Sequence, residues 1–164
     1  RYNYVINGES IAISENAFTA DANLTVAMGE ASNISAVHLT KTDNASAALR
    51  QDLGTLEPGV YEIEMKIFIP NGKKPSSCYL GLNGYNSFRS FSSMKAETWY
   101  TIRNTVTLTS QSKRMFYFGL YGTSGKEIYV TDIRVLRDVK ELINDVDARI
   151  TVEAGKITEK VTET

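Results

Sequence analysis

Residues 60–69 read VYEIEMKIFI, and this stretch decides the fold class. Its apolar side chains Tyr61, Ile63, Met65, Ile67 and Ile69 occupy every second position. Successive side chains of a β-strand point to opposite faces, so the stretch predicts a strand with one buried face and one polar face. Turn-forming sequences flank it, Glu-Pro-Gly before and Pro-Asn-Gly after, and both predict where the strand ends.

The same alternation recurs along the chain. Residues 78–83, 100–108, 115–121 and 127–136 show it clearly, and residues 2–6, 10–14, 24–27, 35–40 and 47–53 show it weakly. In the last strong segment the alternation slips by one near Thr131 and Asp132, which predicts a β-bulge. Eight to ten short strands without interleaved helices predict an all-β, antiparallel sandwich or barrel. The predicted core is Tyr61, Ile63, Met65, Ile67, Leu80, Leu82, Ile102, Val106, Leu108, Phe116, Phe118, Leu120, Ile128 and Val130.

Composition excludes several classes of function. Among 164 residues, 18 Lys and Arg balance 19 Asp and Glu, so nothing indicates a nucleic-acid or anionic membrane partner. One cysteine and one histidine exclude a disulfide framework and the two-histidine zinc motifs. No apolar run is long enough to span a bilayer. Without a nucleophile elbow or a glycine-rich strand–helix loop, we predict no enzymatic activity. Because the chain begins at Arg1, we interpret it as a piece of a longer protein.

Aromatic residues on the polar strand faces are the candidate ligand site. An aromatic ring can stack on the C–H face of a sugar while amide and guanidinium groups bind its hydroxyls. Residues 84–93 add aromatic and arginine side chains without strand periodicity, which predicts a loop. The alternative is that these rings fill the core of the second sheet or a subunit interface. The candidate ligand-binding residues are Phe68, Tyr79, Asn83, Tyr85, Arg89, Arg103, Tyr117 and Tyr121.

Four stretches carry a resemblance to a known group. They are NYVING (3–8), LEPGVYEIEMKIF (56–68), ETWYTIRNTVTLT (97–109) and KEIYVTDIRVL (126–136). Their order resembles carbohydrate-binding modules of the jelly-roll type with a galactose-binding-like fold. The resemblance implies a jelly-roll domain over residues 1–137 and a saccharide ligand. It also implies a structural Ca²⁺ held by Glu9 and Asp132.

The composition changes after residue 137. Residues 138–164 contain no aromatic residue and no proline, and they predict a helix with a single apolar stripe. The stripe is Ile143, Val146, Ile150, Ala154, Ile157 and Val161. Pairs of these residues 11 positions apart are typical of a nearly straight coiled coil. We therefore expect a homotrimer or homodimer held together through this segment. The alternatives are a helix folded back on the sandwich, or a helix that gives way to extended chain near residue 154.

The sequence INDVDARITVEAGKITEKVTE (143–163) resembles helical segments of phage and prophage tail, baseplate and tail-fibre proteins. Together the two resemblances imply a binding or structural module of a phage tail or baseplate protein that contacts cell-wall saccharide. Such a module would reside in the virion or outside the cell. The alternatives are an accessory domain of a secreted glycan-degrading enzyme, or an architectural spacer without a ligand.

Overall fold

The computed structural model describes residues 2–5, 8 and 18–137. The predicted strand at 10–14, the calcium candidate Glu9 and the predicted helical segment 138–164 lie outside the described residues. Among the described residues, no helix is long and apolar enough to cross a membrane.

Eleven strands make up the described chain. They are β1 (Tyr2–Asn3), β2 (Thr19–Ala20), β3 (Leu24–Ala31), β4 (Ile34–Lys41), β5 (Ala47–Leu56), β6 (Gly59–Phe68), β7 (Ser77–Leu82), β8 (Tyr85–Ser90), β9 (Trp99–Leu108), β10 (Ser112–Tyr121) and β11 (Glu127–Arg137). The five strongly alternating segments all form strands within three residues of their predicted ends. The weaker segments at 24–27, 35–40 and 47–53 form longer strands than predicted.

The strands form two antiparallel sheets packed as a sandwich. The first sheet has the order β3-β4-β11-β6-β9, and the second has the order β2-β5-β10-β7-β8. β1 pairs with the end of β11, with Tyr2 opposite Arg137. This arrangement confirms the predicted all-β, antiparallel jelly-roll sandwich.

The core between the sheets consists of the predicted alternating faces. None of the fourteen predicted core residues exposes more than 4% of its surface. The hydroxyl of Tyr61 donates a hydrogen bond to the Glu57 carbonyl at 2.7 Å, so its polar end is satisfied at the core margin. Cys78 is also buried, and burial raises the pKa of its thiol to about 12. This thiol is therefore a small core side chain.

The predicted bulge in the last strand is present. The pairing of β11 with β6 shifts register between Thr131 and Arg134. Asp132, within the bulge, has a φ of 54°. Ile128 and Val130 are buried before the bulge, and Ile133 and Val135 are buried after it. The extra residue therefore keeps the apolar side chains directed into the core on both sides of the bulge.

The prediction of a loop at 84–93 is wrong for six of its ten residues. Residues 85–90 form β8, the edge strand of the second sheet, paired with β7. As an edge strand with one neighbour it buries few side chains, so its sequence lacks the apolar alternation that marked the central strands.

Candidate functional site

Four aromatic rings lie together on the outer face of the second sheet. We call this set, Tyr79, Phe88, Tyr117 and Tyr121, the aromatic face. The ring centroid of Tyr79 lies 5.5 Å from that of Phe88 and 5.5 Å from that of Tyr121. Phe88 is 56% exposed and Tyr121 is 37% exposed, so a ligand can reach their rings.

Strand pairing places these rings side by side. Tyr79 on β7 lies opposite Phe88 on β8 and, on its other side, opposite Gly119 on β10. Gly119 separates Tyr117 from Tyr121 along β10. A Cβ atom at Gly119 would lie 2.7 Å from the Tyr117 hydroxyl oxygen, which means that the Tyr117 ring covers this glycine. The missing side chain therefore allows the ring to lie close against the sheet.

An ion pair borders the aromatic face on the side of β5. Nη1 of Arg50 lies 2.5 Å from Oδ1 of Asp21, and the Arg50 guanidinium lies 5.4 Å from the Tyr117 ring centre. Partial burial favours a higher pKa for Asp21, but hydrogen bonds from Arg50 and the Ala48 amide outweigh it and lower the pKa. Burial and the neighbouring Tyr121 raise the pKa of Tyr117, so its hydroxyl keeps its proton at neutral pH. The border thus offers a charged donor, a charged acceptor and a hydroxyl.

The structure separates the predicted ligand residues into different regions, and it places Phe68 and Arg103 on the first sheet. Phe68 is only 5% exposed, and its ring contacts Trp99 at 5.4 Å and Tyr129 at 6.0 Å between centroids. Nε of Arg103 lies 3.1 Å from a carboxylate oxygen of Glu64. The prediction that Arg103 lies on the same face as Tyr79, with Phe68 at the rim of that face, is wrong, because alternation distinguishes inward from outward but does not identify the sheet.

Asn83, Tyr85 and Arg89 also lie apart from the aromatic face. The Asn83 carbonyl accepts a hydrogen bond from Arg114 at 2.9 Å, and the same guanidinium lies 4.9 Å from the Tyr85 ring centre. Arg89 donates to the carbonyl of Arg103 at 3.3 Å, across the gap between the edge strands β8 and β9. These three residues therefore belong to the turn after β7 and to the edge of the sandwich. Of the eight predicted ligand residues, only Tyr79, Tyr117 and Tyr121 lie in the aromatic face.

Two components of this region, Arg50 and Asp21, were not predicted from the sequence. Phe88 belongs to the 84–93 segment that was predicted to contribute to the site, but as part of a loop rather than a strand. Arg50 pairs with Asp21 across 29 positions of the sequence, and only the β2–β5 pairing brings them together. No local alternation marks Phe88, because the aromatic and arginine residues of β8 stand at positions 85, 88 and 89 rather than at every second position.

The described residues do not fit the implied calcium site. Asp132 contacts Lys66 through Oδ2 at 2.9 Å and Arg134 through Oδ1 at 3.2 Å. Burial favours a higher pKa for Asp132, but these two cations outweigh it and lower the pKa. In the part of the chain described, no three His, Cys, Asp or Glu side chains cluster as metal ligands. Calcium requires six to eight oxygen ligands, and both oxygens of this carboxylate already contact cations.

No protein-family model and no curated protein matches the sequence. Solved structures do match. TmCBM61 in complex with β-1,4-galactotriose has a TM-score of 0.61 at 15% identity, covering 84% of this chain and 100% of that one. The CBM22-1–GH10 modules of xylanase 10B from Clostridium thermocellum, complexed with xylohexaose, have a TM-score of 0.61 at 11% identity. The match covers 84% of this chain and 29% of that one. The enzymatically active domain of tailspike protein 4 from bacteriophage CBA120 has a TM-score of 0.58 at 14% identity. The match covers 81% of this chain and 21% of that one. At these identities the likeness shows the fold: a jelly-roll sandwich of the kind found in carbohydrate-binding modules.

Proposed function

We propose that the chain is a non-catalytic carbohydrate-binding module that holds a saccharide on the aromatic face. The observation that carries the proposal is the continuous set of rings formed by Phe88, Tyr79 and Tyr121, each within 5.5 Å of the next. Strands of one sheet hold these rings, so stacking on a sugar costs little conformational entropy. Arg50, Asp21 and the Tyr117 hydroxyl provide the hydrogen-bonding groups at the border.

The placement of the reactive side chains supports a non-catalytic role. The only cysteine is buried in the core and its thiol pKa is raised to about 12. The only histidine, His38, lies on the first sheet, where its ring stacks on Tyr129 at 4.4 Å and Nε2 contacts Glu127 at 2.6 Å. Neither side chain lies in the aromatic face, so neither can supply a nucleophile or base to a ligand there.

Two exposed aromatics of the same strand provide a matched test. Phe88 is 56% exposed and belongs to the aromatic face, whereas Tyr85 is 39% exposed and contacts Arg114. We expect Phe88→Ala to weaken retention about threefold to tenfold in affinity electrophoresis through galactan, xylan and cell-wall polysaccharide. Tyr85→Ala should leave retention unchanged, because its ring faces away from the proposed ligand.

Two results would contradict the proposal. The first is equal retention of wild type and Phe88→Ala. The second is the absence of any retention of the wild type by these polysaccharides, which favours the architectural spacer.

The likeness to a tailspike and to xylanase modules bears on the biological setting. We propose that the module belongs to a phage or prophage tail or baseplate protein, in the virion, and contacts host cell-wall saccharide. The alternative is an accessory domain of a secreted glycan-degrading enzyme. The charged, aromatic-free composition of residues 138–164 supports the phage setting, because it is typical of oligomeric helical connectors.

Oligomerisation follows from that setting. We propose that residues 1–137 form the binding domain and residues 138–164 the oligomerising segment. Light scattering of the chain should give the mass of a trimer or dimer, and a chain truncated after residue 137 should give the mass of a monomer. Linked copies would bind a repetitive glycan with an avidity orders of magnitude above that of one site. A monomeric mass for the whole chain would contradict this proposal.

A further inference from the structure

A depression of about 390 Å³ adjoins the aromatic face at the Tyr121 end. Loops following β4, β6 and β10 surround it. Its lining includes Asn44, Lys74, Ser76, Tyr121, Thr123 and Lys126. Since Tyr121 belongs both to this lining and to the aromatic face, a saccharide stacked on the rings would extend into the depression.

The charge of the depression is positive. Lys74 and Lys126 line it, and among the described ion pairs neither ammonium group pairs with a carboxylate. Nζ of Lys74 donates to the Met94 carbonyl, a neutral group that leaves the charge in place.

Two acidic residues, Asp43 and Glu127, are adjacent in the sequence to lining residues, and both contact other groups. Asp43 accepts a hydrogen bond from the Asn23 amide at 2.9 Å, and the nearby Lys41 ammonium group offsets its charge. Glu127 binds His38 at 2.6 Å and Lys73 at 3.6 Å. The whole chain carries a net charge of −1, so the positive charge here is a local feature rather than a general one.

Short contacts hold the walls of the depression in place. Oδ1 of Asn44 accepts a hydrogen bond from the Ser124 amide at 2.9 Å, which joins the loop after β4 to the loop after β10. A Cβ atom at Gly122 would lie 3.1 Å from Cα of Pro75, so the absent side chain allows the loops after β6 and β10 to meet. The Ser76 amide also donates to the Tyr121 carbonyl at 2.9 Å. A site built this way needs little ordering when a ligand binds.

We infer that the ligand is an acidic saccharide whose negatively charged group lies in this depression beside Lys126 and Lys74. The inference rests on the proposed function, because the rings of the aromatic face hold the neighbouring sugar. The chemistry recognised is an anionic oxygen group on a sugar, either the carboxylate of a uronic acid or a phosphate. A lysine ammonium binds either group as a point charge, without the fixed geometry that a guanidinium imposes.

The test uses a glycan array in which each acidic oligosaccharide is printed beside its neutral counterpart. Uronic-acid oligosaccharides stand beside their carboxyl-reduced forms, and phosphate-bearing ones beside their phosphatase-treated forms. We expect wild type to bind one acidic class about threefold to tenfold more tightly than its neutral partner, and high salt to reduce the difference. The pair that shows the difference identifies the anion.

Three variants locate the effect. Lys126→Gln should abolish the preference for the acidic form without changing binding to the neutral form, and Lys126→Arg should retain much of the preference. Lys113→Gln removes one positive charge at an exposed position of β10 remote from the depression, and it should change neither.

The outcomes separate this inference from the proposed function. Equal binding of acidic and neutral partners, with Phe88→Ala weakening both, overturns the acidic ligand and supports the aromatic face. Equal loss of preference in Lys113→Gln and Lys126→Gln overturns the site, because overall charge would then explain the effect. A preference that depends on Lys126 but not on Phe88 supports the depression and overturns the aromatic face. Failure of wild type to bind either partner overturns both proposals.

Discussion

Replacement of Tyr79 by alanine is expected to weaken saccharide binding by more than any other single change on the aromatic face, about thirtyfold or more. The Tyr79 ring lies between those of Phe88 and Tyr121 and contacts both at 5.5 Å. Its removal therefore interrupts the stacking surface, and the rings of Phe88 and Tyr121 lose the contact that holds them in position. Central aromatic residues of a binding surface commonly contribute about 2 kcal/mol or more, which corresponds to this loss of affinity.

Titration of a retained polysaccharide fragment by calorimetry would measure the Tyr79 effect. Tyr79→Phe keeps the ring and should keep most of the affinity, because the proposed contact is stacking rather than a hydroxyl hydrogen bond. The melting temperature of both variants should change little, since substitutions outside the core usually alter stability only slightly. Unchanged affinity in Tyr79→Ala would contradict the position of the site.

Replacement of Phe118 by alanine is expected to have the largest effect on stability. Phe118 is fully buried, and it lies opposite Leu49 on one neighbouring strand and Leu80 on the other. Truncation removes a phenyl ring from the centre of the second sheet and leaves a cavity that the paired strands cannot close. A loss of about 3–5 kcal/mol in the free energy of unfolding follows.

The same chemical change at an exposed site gives the control. Phe88→Ala also removes a phenyl ring from the second sheet, but that ring is 56% exposed. Urea denaturation of the two variants should therefore show a large decrease in midpoint for Phe118→Ala and a small one for Phe88→Ala. Similar decreases in the two variants would contradict the assignment of inner and outer faces.

The core was predictable from the sequence because its signal is local. The alternation in VYEIEMKIFI requires only neighbouring residues, and a shift by one position would expose a whole apolar set. The bulge at Asp132 was predictable for the same reason, as a break in a regular pattern. Edge strands carry a weaker signal, and β8 was missed because its inward positions hold Tyr85, Ser87 and Arg89.

The candidate site was only partly predictable, because it depends on which sheet each strand joins. Phe68 and Tyr79 have the same sequence signature, an aromatic residue on the polar side of an alternating strand. Strand order places them on opposite outer faces of the sandwich. The Arg50–Asp21 pair forms only through the pairing of β2 with β5, and no local pattern marks it. Long-range pairing therefore determined the site, whereas local alternation determined the core.

The pairing of β1 with the end of β11 has an evolutionary consequence. Tyr2 lies directly opposite Arg137, so the first and last described strands of the sandwich bring two distant points of the chain to within about 5 Å of each other. A gene segment encoding such a unit can be spliced into a surface turn of an unrelated protein with little disturbance of the host's backbone. It can be excised as easily. Recombination between genes can therefore exchange this unit whole, and the aromatic face moves with it.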